Sequence, residues 1–322
     1  IEPFLALNIS IVFAFIVAGC GAYTYARSLK MGRVISLWVG IAFMFSSFFV
    51  ARQKHLNMIV VAGYLPWSLW ALKKGIVHTF SSDGLLKSHI RFNWFILLGI
   101  FWSLQLFAGH PHMTYLCILM VLWQVFCEII YLLIHLKKKS LRPITFVCLG
   151  IMLAAILSFC IASVQLLPTA ELTLLSGRTR LTFERVVGNP MRGKFLLTLF
   201  YPYIFGNPAD GTYRVDILTQ GVWWENVLYI GVIPIILCIL FLSSKIKPYL
   251  FQMRKSSDRL AYLFELVNKL PYSTYYFASL FVGALLFLSL SFGGYSFTYL
   301  LAFYLVPGMR LFRFPTRFNL YL

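Results

Sequence analysis

The chain has 322 residues, 60% of them apolar and 18% aromatic, with only 12% charged, a formal net charge of +18 and a mean hydropathy of +0.80. Soluble domains average about 25% charged and 45–50% apolar residues, so this composition excludes an ordinary soluble globular protein and a disordered chain. The basic excess does not mark a nucleic-acid-binding domain, because the 28 Lys and Arg are scattered between long apolar runs, as in loops that join membrane helices.

A helix needs about 20 mostly apolar residues to cross a bilayer. Eight runs in the chain suit that length: 4–26, 34–50, 56–72, 93–109, 112–136, 144–167, 226–244 and 274–292. The third is short and contains Pro66. All six cysteines fall inside apolar runs without a CxxC pair and read as small buried hydrophobes. The chain enters an apolar run directly at Ile1 and stops as another begins at Phe318, so it is expected to be a fragment of a longer protein.

Orientation follows from the Lys/Arg bias of the short loops. With the N-terminus outside, seventeen of the basic residues fall on the cytoplasmic side and eleven outside. Dropping the third span reverses the bias to 12 against 16, so eight crossings with the N-terminus out is the expected topology. Six of the ten acids (Glu2, Glu171, Glu184, Asp210, Asp216, Glu225) lie on the outer side, mostly in one 58-residue segment, 168–225. Two apolar stretches too short to span, Phe195–Phe205 and Tyr295–Val306, read as helices lying at the outer interface. KKKS at 137–140 and the segment 245–274 read as basic connectors that attract anionic lipid headgroups. The fold class is therefore all-α integral membrane, a single polytopic domain over 1–322 with a large extracytoplasmic loop at 168–225. No internal repeat, Gly-rich phosphate loop or HExxH motif is present.

Four motifs sit at expected outer helix ends, where a plain helical bundle has no need of polar groups. AGHPH (Ala108–His112) turns between the fourth and fifth spans; QLLPTAEL (Gln165–Leu172) closes the sixth; WWENVLYIG (Trp223–Gly231) opens the seventh; LFRFPTRF (Leu311–Phe318) precedes the last run. With LFYPYIFGNP, these occur in an order and at spacings that resemble the YfhO family of bacterial membrane proteins, relatives of the C-type (GT-C) glycosyltransferases, across essentially the whole chain. The family often carries Gln where this chain has His112.

The resemblance implies a GT-C-like arrangement of about eight transmembrane helices with short interfacial helices on the outer face. It implies a multi-pass protein of the bacterial plasma membrane that moves a sugar from a polyprenyl-phosphate-linked donor to a cell-wall or surface-polymer acceptor on the extracytoplasmic face. Members of the wider class place a key carboxylate in the first outer loop, and that region would lie upstream of Ile1. A transporter or flippase of lipid-linked sugars and a non-catalytic scaffold for envelope lipids are the alternatives. Membrane lipids are expected partners; nucleic acid is not. Composition and topology alone reach only a multi-spanning membrane protein with a polar outer face.

Inverting transfer needs a carboxylate to take the acceptor proton and cations to hold the departing phosphate, a task suited to the planar fork of Arg. Glu225 and Glu171 are the candidate carboxylates, against helix capping for Glu225 and helix-end hydrogen bonding for Glu171. Arg313 and Arg317, four apart, are candidate phosphate contacts, against headgroup anchoring or a salt bridge. Arg178 and Arg180, with Arg185, are candidates against pairing with Glu171 and Glu184. His110, in a Gly-His-Pro turn, and Gln165 are candidate substrate contacts. His112 and the Arg52, Lys54, His55 loop rank below them. Glu128 is expected to snorkel or pair near the cytoplasmic side. No carboxylate/His spacing points to a dedicated metal site, although a divalent cation bridging the donor phosphate fits this chemistry.

Overall fold

A computed structural model of the protein describes residues 2–80, 86–136, 140–176, 181–188, 190–213, 222–237, 239–240 and 270–321. Helices dominate it. Five stretches are long and apolar enough to cross a membrane: α1 (Pro3–Ser28), the pair α2 (Arg33–Met44) and α3 (Ser47–Ala51), α7 (Pro111–Leu136), α8 (Leu141–Leu175) and α11 (Tyr272–Ser291). A sixth, α6 (Phe92–Phe107), is apolar but only 16 residues long.

The run expected at 56–72 forms two helices, α4 (Leu56–Gly63) and α5 (Leu65–Gly75). Pro66 explains the break: it has no N–H to continue the α4 ladder but is well placed in the first turn of a new helix. The second run breaks for another reason. The Ser47 N–H donates to the Tyr229 carbonyl at 2.7 Å and its hydroxyl to the Val227 carbonyl at 3.1 Å, so α3 starts against the 227–229 segment rather than continuing α2.

Small residues let backbones approach where helices cross. A Cβ on Gly40 would lie 2.8 Å from the Gly19 carbonyl oxygen of α1, and one on Gly99 of α6 would lie 2.8 Å from the Ala154 carbonyl oxygen of α8. The matched contacts Phe92–Phe146, Phe95–Gly150 and Gly99–Ala154 make α6 and α8 parallel. Tyr272–Glu128 and Ser279–Gln124 make α7 and α11 antiparallel. The ends of the bundle therefore separate: Arg52, His110, Glu225 and Arg317 gather at one, and Lys73, His78, Glu128 and Tyr272 at the other.

A belt of exposed apolar residues surrounds the bundle, among them Phe4, Val12, Phe13 and Ile16 on α1, Trp38 on α2 and Met152, Ile156 and Phe159 on α8. An aqueous surface does not sustain such a belt, whereas lipid does. Of the cysteines in the described residues, Cys117 and Cys127 are buried, but Cys20, Cys148 and Cys160 face outward into this belt rather than into a core.

Several expectations are corrected. QLLPTAEL does not close the sixth span; α8 continues through Pro168 to Leu175, 35 residues in all. Val164 and Leu167 are exposed there, so the carbonyl that loses its partner to Pro168 is not stranded in a core. Phe195–Phe205 is not an α-helix: a 3₁₀ segment, Gly193–Leu199, gives way to turns, because Pro202 and Gly206 (φ 96) interrupt any regular ladder. Its buried Phe195 joins Met191 and Leu228 in a small satellite core, against which Leu196, Leu199 and Phe205 pack partly buried. Within Tyr295–Val306, helix α12 (Phe297–Leu305) forms as expected. The basic loop after α5 carries an antiparallel hairpin, β1 (Ile76–Phe80) and β2 (Leu86–Ile90), that the sequence reading did not include. Of the 226–244 run, Asn226 ends a single helical turn, 227–231 are not helical, 232–237 and 239–240 are helical, and 238 and 241–244 lie outside the described residues.

Candidate functional site

The site is built on the single-turn helix α10 (Trp223–Asn226), together with the helix ends around it; a second single turn, α9 (Phe183–Val186), packs on Tyr299 and Phe303 instead. Glu225 of α10 is its centre. Its carboxylate Oε2 accepts from Arg52 Nη2 at 3.1 Å and its Oε1 from Arg317 Nε at 3.1 Å. The side chains of Arg52 and Glu225 are 0% and 5% exposed, whereas that of Arg317 is 17% exposed. Arg317 is thus the member of the triad that reaches the surface.

Each side chain is positioned by its own element. Arg52 caps the end of α3, with its guanidinium 4.2 Å from the Phe48 ring centroid. Arg317 lies in the 3₁₀ segment Pro315–Tyr321, which docks on α11 and α12 through the stacking of Phe318 on Phe287 and its edge contact with Tyr299. Phe314 directs this segment back toward Glu225 by adopting φ 66, a conformation rare for any residue with a side chain and unusual before proline. The Phe314 ring then lies 4.7 Å from the Arg317 guanidinium. Asn319 completes the anchor by donating to the Glu225 main-chain carbonyl at 2.8 Å.

The AGHPH turn supplies the next layer. Gly109 takes φ 75 and Pro111 opens α7, so His110 and His112 project toward Arg317. His112 Nδ1 lies 3.3 Å from Arg317 Nη1, and its ring stacks on Phe312 at 4.8 Å. His110 Nδ1 accepts the Met113 N–H at 3.1 Å, which assigns the proton of the neutral ring to Nε2. Lys54 and His55 close the far side, the first 3.4 Å from the Trp224 ring and the second 5.8 Å from it.

The electrostatics are one-sided. Burial pushes the Glu225 carboxyl upward, but Arg52 and Arg317 outweigh it and hold the group below its ordinary range. Burial, then the Arg317 charge, pushes His110 down to about 4. Burial and Lys54 lower His55 in the same way. At neutral pH the cluster therefore combines one carboxylate with the three cations Arg52, Lys54 and Arg317, beside the neutral rings of His55 and His110. It suits an anion better than a proton acceptor.

Glu225, Arg317 and His110 are brought together here, joined by His112 and by Arg52, Lys54 and His55 from the loop that ranked low in sequence. Arg313 is exposed four residues before Arg317 and takes no part in the ion-pair triad. Gln165 and Glu171 are exposed on the last turns of α8 and find no side-chain partner among the described residues. Arg185 and Glu184 are likewise exposed, and Arg178 and Arg180 lie outside the described residues. No group of three or more metal-ligating side chains occurs among the described residues. At the opposite end, Glu128 is buried and paired: Oε2 meets His78 Nε2 at 2.9 Å, and Oε1 accepts from the Tyr272 hydroxyl, which in turn receives Lys73 Nζ at 2.6 Å.

Comparison of the chain with models of known protein families, with curated proteins and with solved structures finds no match.

Proposed function

We propose that this chain is the membrane-embedded part of a glycosyltransferase of the YfhO/GT-C kind, which uses a polyprenyl-phosphate-linked sugar at the Glu225 end of the bundle. The observation that carries the reading is the triad itself. Two guanidiniums saturate one buried carboxylate, and the partly exposed one, Arg317, faces the surface beside Lys54 and the Nε2–H of His110. Such a surplus of fixed donors favours a phosphate oxygen over a proton.

In the proposed reaction the bond between the sugar's anomeric carbon and the phosphate oxygen breaks, and a bond to the acceptor hydroxyl forms. The leaving polyprenyl phosphate takes up the departing electron pair, and Arg317, with Arg313 four residues away, neutralises it. Glu225 is a positioning residue in this scheme: both its oxygens are occupied and its affinity for protons is lowered, so it makes a poor base. The acceptor proton goes to a base other than Glu225, which the family resemblance expects to be a carboxylate. On the charge bias of the loops, the Glu225 end is extracytoplasmic.

A transporter is the second reading, favoured by the buried Glu128–His78 pair. Glu128, however, pairs with His78 of the hairpin and Tyr272 in the first turn of α11, among groups at one end of the bundle rather than at the midplane where transporters bind cargo. Sugar transfer from a radiolabelled polyprenyl-phosphate donor, measured in membranes containing the full-length protein, separates the two. The enzyme reading expects label in an acceptor polymer and its loss in R317Q. Label crossing the bilayer without incorporation supports the transporter instead.

A further inference from the structure

A second ligand site lies at the opposite end of the bundle, where α6 and α8 begin side by side. A cavity of about 440 Å³ opens between β2 and the first turns of these helices, bounded by Ser88, His89, Phe92, Arg142, Pro143 and Phe146. That volume falls within the range of about 300–1,000 Å³ typical of ligand pockets. We propose that this cavity holds the phosphate headgroup of an anionic phospholipid, with the acyl chains running down the outer faces of α6 and α8.

Side-chain charge and helix polarity converge on an anionic group. Arg142 and His89 are exposed at the rim, and among the described residues no acidic side chain lines the cavity. Both helices start here without a side-chain cap bond and without an acid in the first turn, so the positive ends of two parallel dipoles meet at one place. The wall is also braced: Ser88 Oγ lies 2.8 Å from His78 Nδ1, and the other nitrogen of His78 is fixed by Glu128. In sequence, Lys137, Lys138 and Lys139 directly precede the helix that carries Arg142.

A lipid accounts for the remainder of the lining better than a free anion does. Phe92 and Phe146 meet edge to face at 6.1 Å across the cavity floor. Ile96, one turn along from Phe92, and Leu149, one turn along from Phe146, are 44% and 40% exposed. An apolar track therefore leads from the basic rim along the bundle, as a diacyl chain requires. A soluble phosphate would leave Phe92, Pro143 and Phe146 without a role. Basic pockets between helix ends on the side favoured by positive loops bind lipid headgroups by this physics.

The test is the lipid retained by the purified full-length protein, read by native mass spectrometry after extraction from nanodiscs of phosphatidylcholine mixed with phosphatidylglycerol. The expected result is retention of phosphatidylglycerol over phosphatidylcholine, a loss of about fivefold in R142Q, and recovery in R142K, which keeps the charge. H89Q, at an exposed strand position, is measured beside it and is expected to show a smaller loss should R142Q fail to fold. Equal retention of both lipids, or unchanged phosphatidylglycerol in R142Q and H89Q, overturns the proposal. Protection against thermal unfolding by inorganic phosphate equal to that by dihexanoyl phosphatidylglycerol also overturns it, in favour of a free-anion site.

Discussion

Arg52 Nη2 donates to Glu225 Oε2 at 3.1 Å across a sequence separation of 173, with both side chains almost completely buried. This bond fastens the loop between α3 and α4 to α10, and Arg317 fastens the end of the described chain to the same carboxylate. Removing one partner of a buried pair strands the other charge, which costs about 3–5 kcal/mol. R52Q and E225Q are each expected to destabilise the detergent-solubilised protein on that scale, with R317Q costing less because Arg317 is partly solvated. Thermal unfolding of the three variants and of R52Q/E225Q checks this, and a double variant less destabilised than the sum of the singles is the expected coupling.

The acid side of the stability curve carries the imprint of the same cluster. His110 is neutral in the fold down to about 4, against 6.5 for a free imidazole, so the unfolded chain binds more protons between those values. Its contribution is complete above about pH 6.5 and is lost as pH falls toward 4. Glu225 acts in the same sense at lower pH: its lowered value gives stability present above the ordinary carboxylate range and lost as pH falls through the folded value. Unfolding midpoints measured from pH 7 to pH 4 are expected to fall less steeply in H110N than in the native protein.

Close backbone approach gives a third prediction. G99A places a methyl 2.8 Å from the Ala154 carbonyl oxygen, a backbone atom that side-chain rotation cannot move. Forcing α6 from α8 is expected to cost about 1–3 kcal/mol, measured as a drop in unfolding midpoint. G32A has nothing within 4 Å of the added carbon and serves as the control.

Tyr272 gives the fourth. Its hydroxyl joins Lys73 to Glu128, so Y272F removes a donor from a buried carboxylate and an acceptor from a lysine in one change. A loss of about 1–3 kcal/mol is expected, together with faster amide exchange in the first turns of α11.

Much of this was legible in the residues. The apolar runs located α1, α6, α7 and α11 to within a few residues, because length and hydropathy are properties of the local chain. The AGHPH, WWEN and FPTRF motifs identified three segments that the fold brings together, since polar groups at helix ends are visible without knowing their partners. Arg52 was undervalued for the opposite reason: nothing local indicates that a loop arginine will be buried against a carboxylate 173 residues away. Pro168 suggests a helix end because its local effect is to remove a hydrogen bond, whereas the exposed flank of α8 tolerates that loss. The hairpin after α5 was missed because the segment Ile76–Ile90 mixes polar and apolar residues, and its pairing is fixed by tertiary contacts such as that between His78 and Glu128.

In the proposed function Arg317, held by Glu225, receives the phosphate of a polyprenyl carrier. The most direct test is the binding of undecaprenyl phosphate to the purified full-length protein, compared between the native protein, R317Q and K74Q, the last altering an exposed lysine at the opposite end of the bundle. The expected result is a loss of about ten- to a hundredfold in R317Q, the value of a charge-assisted phosphate contact, and native affinity in K74Q. Equal affinity in R317Q and the native protein would contradict it.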